Sequence, residues 1–225
     1  LGNLSYPTQA FDEFCLREWL PGAGDGPHPL NRFMSGYPAQ LLAQALGASG
    51  RSYCLDAACA SSLYAIKFAC DALQRGEADL MLAGGVNAIN DLFLHVGFTS
   101  LLALSRSGRS RPFHRAADGL VPALGAAIVA LRRLEDAEAA GDRILGVIRG
   151  IGLSNDGSKG GFLTPSESAE VRAMELAYRA AGLAPRDISL IECHATGTVV
   201  GDSVEVAGDR KSTRLNSSHS SVSRM

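Results

Sequence analysis

The chain has 225 residues, 46% hydrophobic and 20% charged, with a formal net charge of −2. That composition suits a globular protein with room for one large or two modest domains, and the near-neutral balance removes the electrostatic ground for a nucleic-acid partner. No apolar run reaches the length of a membrane span, no basic-then-apolar leader opens the sequence, and five cysteines without a Cys-x-x-Cys pair point to reduced thiols in a cytoplasmic protein rather than to a metal site.

Leu1 in place of an initiator Met points to a missing beginning. The first 50 residues are loop-rich, and the Gly/Pro connector PGAGDGPHP (21–29) excludes a regular element. SYCLDAA (52–58) predicts a short buried strand. Cys59 to Arg75 predicts a mostly buried helix: Lys67, Asp71, Gln74 and Arg75 share one stripe, nearly everything else is small or apolar, and Gly76 supplies the stop. DLMLAGG (79–85) predicts another buried strand. Its AGGVN end (83–87) lacks GxGxxG spacing and reads as a tight strand-to-loop turn rather than a phosphate loop.

Further strands are predicted at 125–134 and 143–153, separated by a polar helical turn at 135–142. TPSE (164–167) predicts a helix start, with Thr164 as cap, Pro165 in the first turn and Glu167 reaching back. Val171, Met174, Tyr178 and Ala181 then form the inner face of that helix, Arg172, Glu175 and Arg179 the outer one, and Gly182 and Pro185 end it. A last strand at 187–193 runs into HATGTVVGD. Strands alternating with helices give an α/β fold with buried sheets. Residues 209–225 are serine-rich, basic and aperiodic; we expect them to be a non-native, adapter-like or frameshifted tail, leaving 1–208 as the domain.

Two residues stand out chemically. Cys59 falls at the predicted strand-to-helix junction, where unpaired helix N–H groups and the positive end of the dipole favour a thiolate. Its small neighbours Ala57, Ala58, Ala60, Ser61 and Ser62 permit a sharp turn and the approach of a substrate, as in a nucleophile elbow with sulfur for oxygen. Cys70 and Cys54 read as core, and Cys15 has no case for function. His194 closes a strand and opens a small-residue turn, the position where α/β sheets bind ligands; a neutral imidazole there can hydrogen-bond a carbonyl oxygen. Cys193 should point to the opposite side of that strand.

Five blocks in order, DAACASSLYAIKFACDAL, ADLMLAGGVNA, RSRPFHRAADG, RILGVIRGIGLSNDG and ECHATGTVVGDSVEV, resemble the β-ketoacyl synthase (ketosynthase) domain of a type I polyketide synthase. The resemblance implies a thiolase-like layered α-β-α-β-α fold, here incomplete, with mostly the first half and the start of the second. It implies a decarboxylative Claisen condensation, with Cys59 taking an acyl chain from an acyl carrier protein and His194 assisting malonyl decarboxylation. Thr196 and Thr198 would contact the phosphopantetheine arm, which the carrier protein supplies; no cofactor is bound by the domain itself. Acyl and malonyl thioesters would be the substrates, and the intact protein a homodimer.

Departures from that pattern matter as much. The second catalytic histidine and the lysine before it have no match, and His219 is no substitute. Leu124 stands where the resemblance calls for a glutamate, and His114 where it calls for an aspartate, so His114 receives no catalytic role. The chain as written is therefore expected to be an inactive fragment of an active parent. The competing reading is a non-catalytic, chain-length-factor-like subunit, which Leu124 favours and the retained Cys59 opposes. Arg106, Arg109, Arg111 and Arg115 read as a solvated loop, or as a contact for an acidic carrier protein.

Overall fold

The computed structural model describes residues 1–3, 37–87, 92–157 and 164–213. The connector at 21–29, Cys15 and His219 lie outside them. The chain divides into two compact units, 1–100 with 122–145, and 101–121 with 146–225. Each is described by itself.

The first unit contains β1 (Gly2–Asn3), α1 (Tyr37–Leu46), α2 (Ser61–Gln74), β2 (Met81–Asn87), α3 (Leu92–Ser100), β3 (Gly125–Leu131) and α4 (Leu134–Ala140). Its sheet has the order β1-β2-β3. β1 lies parallel to β2, and β3 is antiparallel to β2 in a register running from Met81 opposite Leu131 to Asn87 opposite Gly125. Helix α2 buries Ser61, Ala65, Ala69 and Leu73. That four-residue spacing is one helix stripe, and its small side chains allow close approach. Glycine on the facing strands completes the fit: a Cβ at Gly2 would fall 2.7 Å from the Ser61 carbonyl carbon, and one at Gly85 3.2 Å from the Ser62 Cβ.

Arg133 fastens the end of β3 to the rest of this unit. Its guanidinium donates to the Leu73 and Ala78 carbonyls at 2.9 Å each and to the Asp79 and Asp136 carboxylates at 2.6 Å each. The planar, five-donor group is suited to holding four acceptors at once.

Several expectations need correction here. AGG lies in a strand as expected, but AGGVN makes no strand-to-loop turn, because β2 continues through Asn87; Gly84 is there because a Cβ would sit 2.0 Å from the Ala127 carbonyl oxygen of β3. The segment 52–58 makes no ladder but two isolated bridges, Leu55 to Gly2, with the Leu55 N–H on the Leu1 carbonyl at 2.9 Å, and Ala57 to Cys59. The helix expected from Cys59 begins at Ser61, and only its sheet-facing stripe is buried, Leu63 and Phe68 being exposed. β3 is exposed along nearly all its length rather than buried.

The second unit holds α5 (Glu167–Ala181), a 3-10 turn (Pro185–Asp187) and α6 (Val199–Thr213). The cap of α5 is Ser166 rather than Thr164: its hydroxyl accepts the Ala169 N–H at 3.3 Å, so the helix begins after Ser166. The outer face falls where expected, with Arg172, Glu175 and Arg179 exposed and Val171 buried. Gly182, left-handed at φ 65°, ends the helix.

The strands expected at 143–153 and 187–193 form no ladder among the described residues, and Ile144, Leu145, Val147, Ile148 and Leu190 are exposed. A strand needs a neighbour to receive its hydrogen bonds, and neither segment has one there. The first packs on α5 instead: a Cβ at Gly152 would lie 1.9 Å from the Ala173 carbonyl oxygen, and one at Gly150 2.5 Å from that of Ala177. Helix α6 runs through the compositional break at 208/209; Ser212 is buried and Lys211 pairs with Glu167 at 3.4 Å.

Candidate active site

The turn before α2 is built almost wholly from alanine, so polar neighbours fix its shape. Asp56 Oδ1 accepts the Ala58 N–H at 2.9 Å. The Ser61 hydroxyl accepts the Ala57 N–H at 2.8 Å and donates to the Ala58 carbonyl at 2.6 Å. Two tight backbone bonds, Ala60 N–H to Ala57 C=O at 3.2 Å and Ser61 N–H to Ala58 C=O at 3.1 Å, close it. Ala58 sits at φ 51°, a left-handed conformation that disfavours a residue with a Cβ by about 1–2 kcal/mol.

Cys59 follows directly and is exposed. It stands one residue before the cap position Ala60, whose side chain caps nothing. The thiol therefore belongs to a residue beside the positive end of a fourteen-residue helix. The other described thiols differ. Cys70 is half-buried and burial pushes its thiol up. Cys193 is half-buried too, and burial together with the nearby Glu205, Asp209 and Glu192 raises it. Cys54 is half-buried beside the bridge.

His194, Thr196 and Thr198 lie together in the second unit, on the loop that leads into α6. Both oxygens of Glu205, in the second turn of the helix, accept backbone N–H groups of this loop: His194 N–H and, at 2.9 Å, Ala195 N–H. Ala195, immediately after the histidine, is left-handed at φ 51°. Asp202, only 7% exposed, accepts the Gly197 N–H at 3.0 Å and the Phe113 N–H at 2.6 Å. The Gly119 N–H donates to the Gly197 carbonyl at 2.9 Å. Thus the RPFHRAADG segment and the HATGT loop are laced together.

The two threonine hydroxyls hydrogen-bond each other at 2.9 Å and are half-buried. Gly201 makes room for them, since a Cβ there would fall 2.5 Å from the Thr198 Oγ1. The imidazole-bearing residue is exposed at the loop surface.

Glu205 and Asp202 are functional candidates to which sequence reasoning gave no role. The signal was their place, seven and four residues after Thr198 in the first two turns of a helix, where a carboxylate can reach back to loop N–H groups. Glu170 on α5 belongs to the same neighbourhood. Its Oε2 is buried without a hydrogen-bond partner, next to Gly208 of α6. Burial, then the charges of Glu205 and Asp156, hold its carboxyl above the usual range, while His194 pulls the other way.

Among the remaining predicted positions, His114 is exposed and its Nδ1 accepts the Ala116 N–H at 3.0 Å, a local turn. Asp118 accepts from Ser105 Oγ at 2.6 Å and Ser107 N–H at 2.9 Å, which hold its carboxyl below the usual range. Leu124 is 62% exposed just ahead of β3. Arg106, Arg109 and Arg115 are exposed and Arg111 half-buried. No described group of three or more His, Cys, Asp or Glu could hold a metal ion, and no described helix is long and apolar enough to cross a membrane.

The family model for the β-ketoacyl synthase N-terminal domain matches residues 20–137, and that for the C-terminal domain matches residues 145–223. A mycocerosic acid synthase-like polyketide synthase of Mycolicibacterium smegmatis is 41% identical over 181 residues, covering 80% of this chain and 9% of that protein. The pikromycin polyketide synthase component PikAIII of Streptomyces venezuelae is 40% identical over 170 residues, covering 76% and 11%. An oxazolomycin ketosynthase domain of Streptomyces albus superposes with TM-score 0.84 at 33% identity, covering 96% of this chain and 36% of that one. A PfaC ketosynthase–chain length factor superposes with TM-score 0.84 at 39% identity, covering 96% and 26%. The fold is thus the thiolase-like α/β fold of ketosynthases, and the chain spans about a tenth of these curated relatives and about a third of these solved chains.

Proposed function

Since the chain belongs to the β-ketoacyl synthase family, we propose that it serves decarboxylative Claisen condensation in a type I polyketide synthase. The observation that carries the reading is Cys59, exposed on a clamped turn beside the start of α2. Its thiolate attacks the carbonyl of an acyl thioester on the acyl carrier protein. A thioester to Cys59 forms as the phosphopantetheine thiolate leaves. Malonyl on a carrier protein then loses CO₂, and the His194 imidazole stabilises the enolate oxygen by hydrogen bonding. The enolate carbon attacks the Cys59 thioester, a C–C bond forms, and the Cys59 thiolate is released.

Thr196 and Thr198, with paired hydroxyls at the loop, contact the phosphopantetheine arm in this reading. The protein itself contributes no cofactor. The intact enzyme works as a homodimer, and the chain by itself, lacking a match to the second histidine and its lysine, does not condense. A chain-length-factor-like role is the second reading, favoured by Leu124 at the start of β3; decarboxylation and condensation assays on an intact synthase carrying this sequence separate the two.

The decisive experiment incubates such an intact synthase with a radiolabelled acyl thioester. Wild type becomes labelled and Cys59→Ala does not. Equal labelling of both overturns the assignment.

A further inference from the structure

Ser61 occupies the sheet-facing stripe of α2, 6% exposed, in line with Ala65 and Ala69. Packing alone asks for an alanine at such a position, and a buried hydroxyl needs partners. The partners of its hydroxyl, the Ala57 N–H and the Ala58 carbonyl, lie in the turn before Cys59. The bonds span the one residue of that turn held in the left-handed region, Ala58. Strand β1 presses on the same spot, since a Cβ at Gly2 would fall 2.8 Å from the Ser61 Cβ. The serine is therefore fixed from behind by the sheet while its hydroxyl grips the turn from the front.

We propose that Ser61 is a positioning residue for the nucleophile: by bonding Ala57 and Ala58 it locks the left-handed turn that sets Cys59 beside the positive end of α2. The proposal rests on the reading of Cys59 as nucleophile, but its geometry lies wholly within the first unit. Without the hydroxyl, Ala58 relaxes toward right-handed or extended backbone, and Cys59 loses its fixed place beside the helix start.

The test follows alkylation of Cys59 by iodoacetamide in the full chain, read site by site by peptide mass spectrometry across a range of pH. Ser61→Ala should slow Cys59 modification by roughly two- to fivefold, the size of a helix-terminus interaction, and move the midpoint of its pH profile upward. Modification of Cys70 should not change. Adding Ala58→Gly, which adopts the left-handed turn without penalty, should restore the wild-type rate and midpoint. An unchanged rate in Ser61→Ala, or a slowed rate that Ala58→Gly fails to restore, overturns the proposal. Should Ser61→Ala not fold, hydrogen exchange in the wild-type chain decides: a protected Ala57 amide supports the clamp, and one exchanging at the unprotected rate refutes it. Failure of acyl labelling at Cys59 would strike the functional reading and leave these measurements standing, so the two outcomes are separable.

Discussion

Replacing Glu205 by Gln tests how the His194 loop is held. The carboxylate accepts two backbone N–H groups, those of His194 and Ala195. A hydrogen bond to a charged acceptor contributes about 1.5–3 kcal/mol, and the lower end applies because His194 is exposed. Gln keeps one acceptor and turns an N–H₂ donor toward the other N–H. One bond is lost and one donor is opposed, for a net loss of about 2 kcal/mol. Ala195 adds to the stakes, because its left-handed φ of 51° persists only while something holds it. Amide hydrogen exchange by NMR reads the result directly. A loss of 2 kcal/mol corresponds to roughly thirtyfold faster exchange at His194 and Ala195, with amides of the first unit unaffected. Exchange within twofold of wild type at both positions would refute the idea that Glu205 organises the loop.

Gly84→Ala should unfold or badly loosen the first unit, by about 3 kcal/mol, because its Cβ would land 2.0 Å from the Ala127 carbonyl oxygen in the paired strand; denaturant melts measure it, and a loss under 1 kcal/mol contradicts the register. Glu170 gives a pH signature. Its carboxyl is raised in the folded state, so its contribution to stability is fully present below the ordinary glutamate range and is lost as pH rises through the raised value. Glu170→Gln should therefore melt at a higher temperature than wild type at pH 8 and at the same temperature near pH 4, and an equal gap at both pH values contradicts the assignment.

How much of this was legible in the sequence depends on whether a segment's partners lie close to it. The existence of α2, the outer face of α5 and the Gly182 stop were readable because helices satisfy their own backbone and their periodicity is local. The Cys59 junction was readable for the same reason, as a run of small residues ahead of a helix. Strands were not so forthcoming. Residues 143–153 and 187–193 have strand-like composition yet make no described ladder, because β pairing is a property of two segments and periodicity reports one. Gly84 and Gly85 fall at the end of a predicted strand, with a turn expected after them; only the approach of β3 and α2 explains why glycine stands there in mid-strand. The cap of α5 shifted from Thr164 to Ser166 because several capping residues stood in a row and local rules could not choose among them. Glu205 and Asp202 stayed hidden because their signal is a place near the start of α6, a helix that is not among the predicted elements.

The two candidate catalytic residues share a local design that neither motif reveals. Cys59 is preceded, and His194 followed, by an alanine at φ 51°. An alanine in that region is held there against its preference, and in both cases the restraint comes from polar side chains on the helix that begins nearby. Ser61 grips the residues before Cys59 from the first position of α2. Glu205 and Asp202 grip the residues at and after His194 from the first two turns of α6. Glycine would adopt either turn more easily, but it would also leave the unfolded and open states freer. Alanine narrows those alternatives and leaves the side-chain hydrogen bonds to hold the turn against its preference. A chemical group carried on such a turn inherits the rigidity of the helix while remaining outside it, which is what a nucleophile and an oxyanion-stabilising group both require.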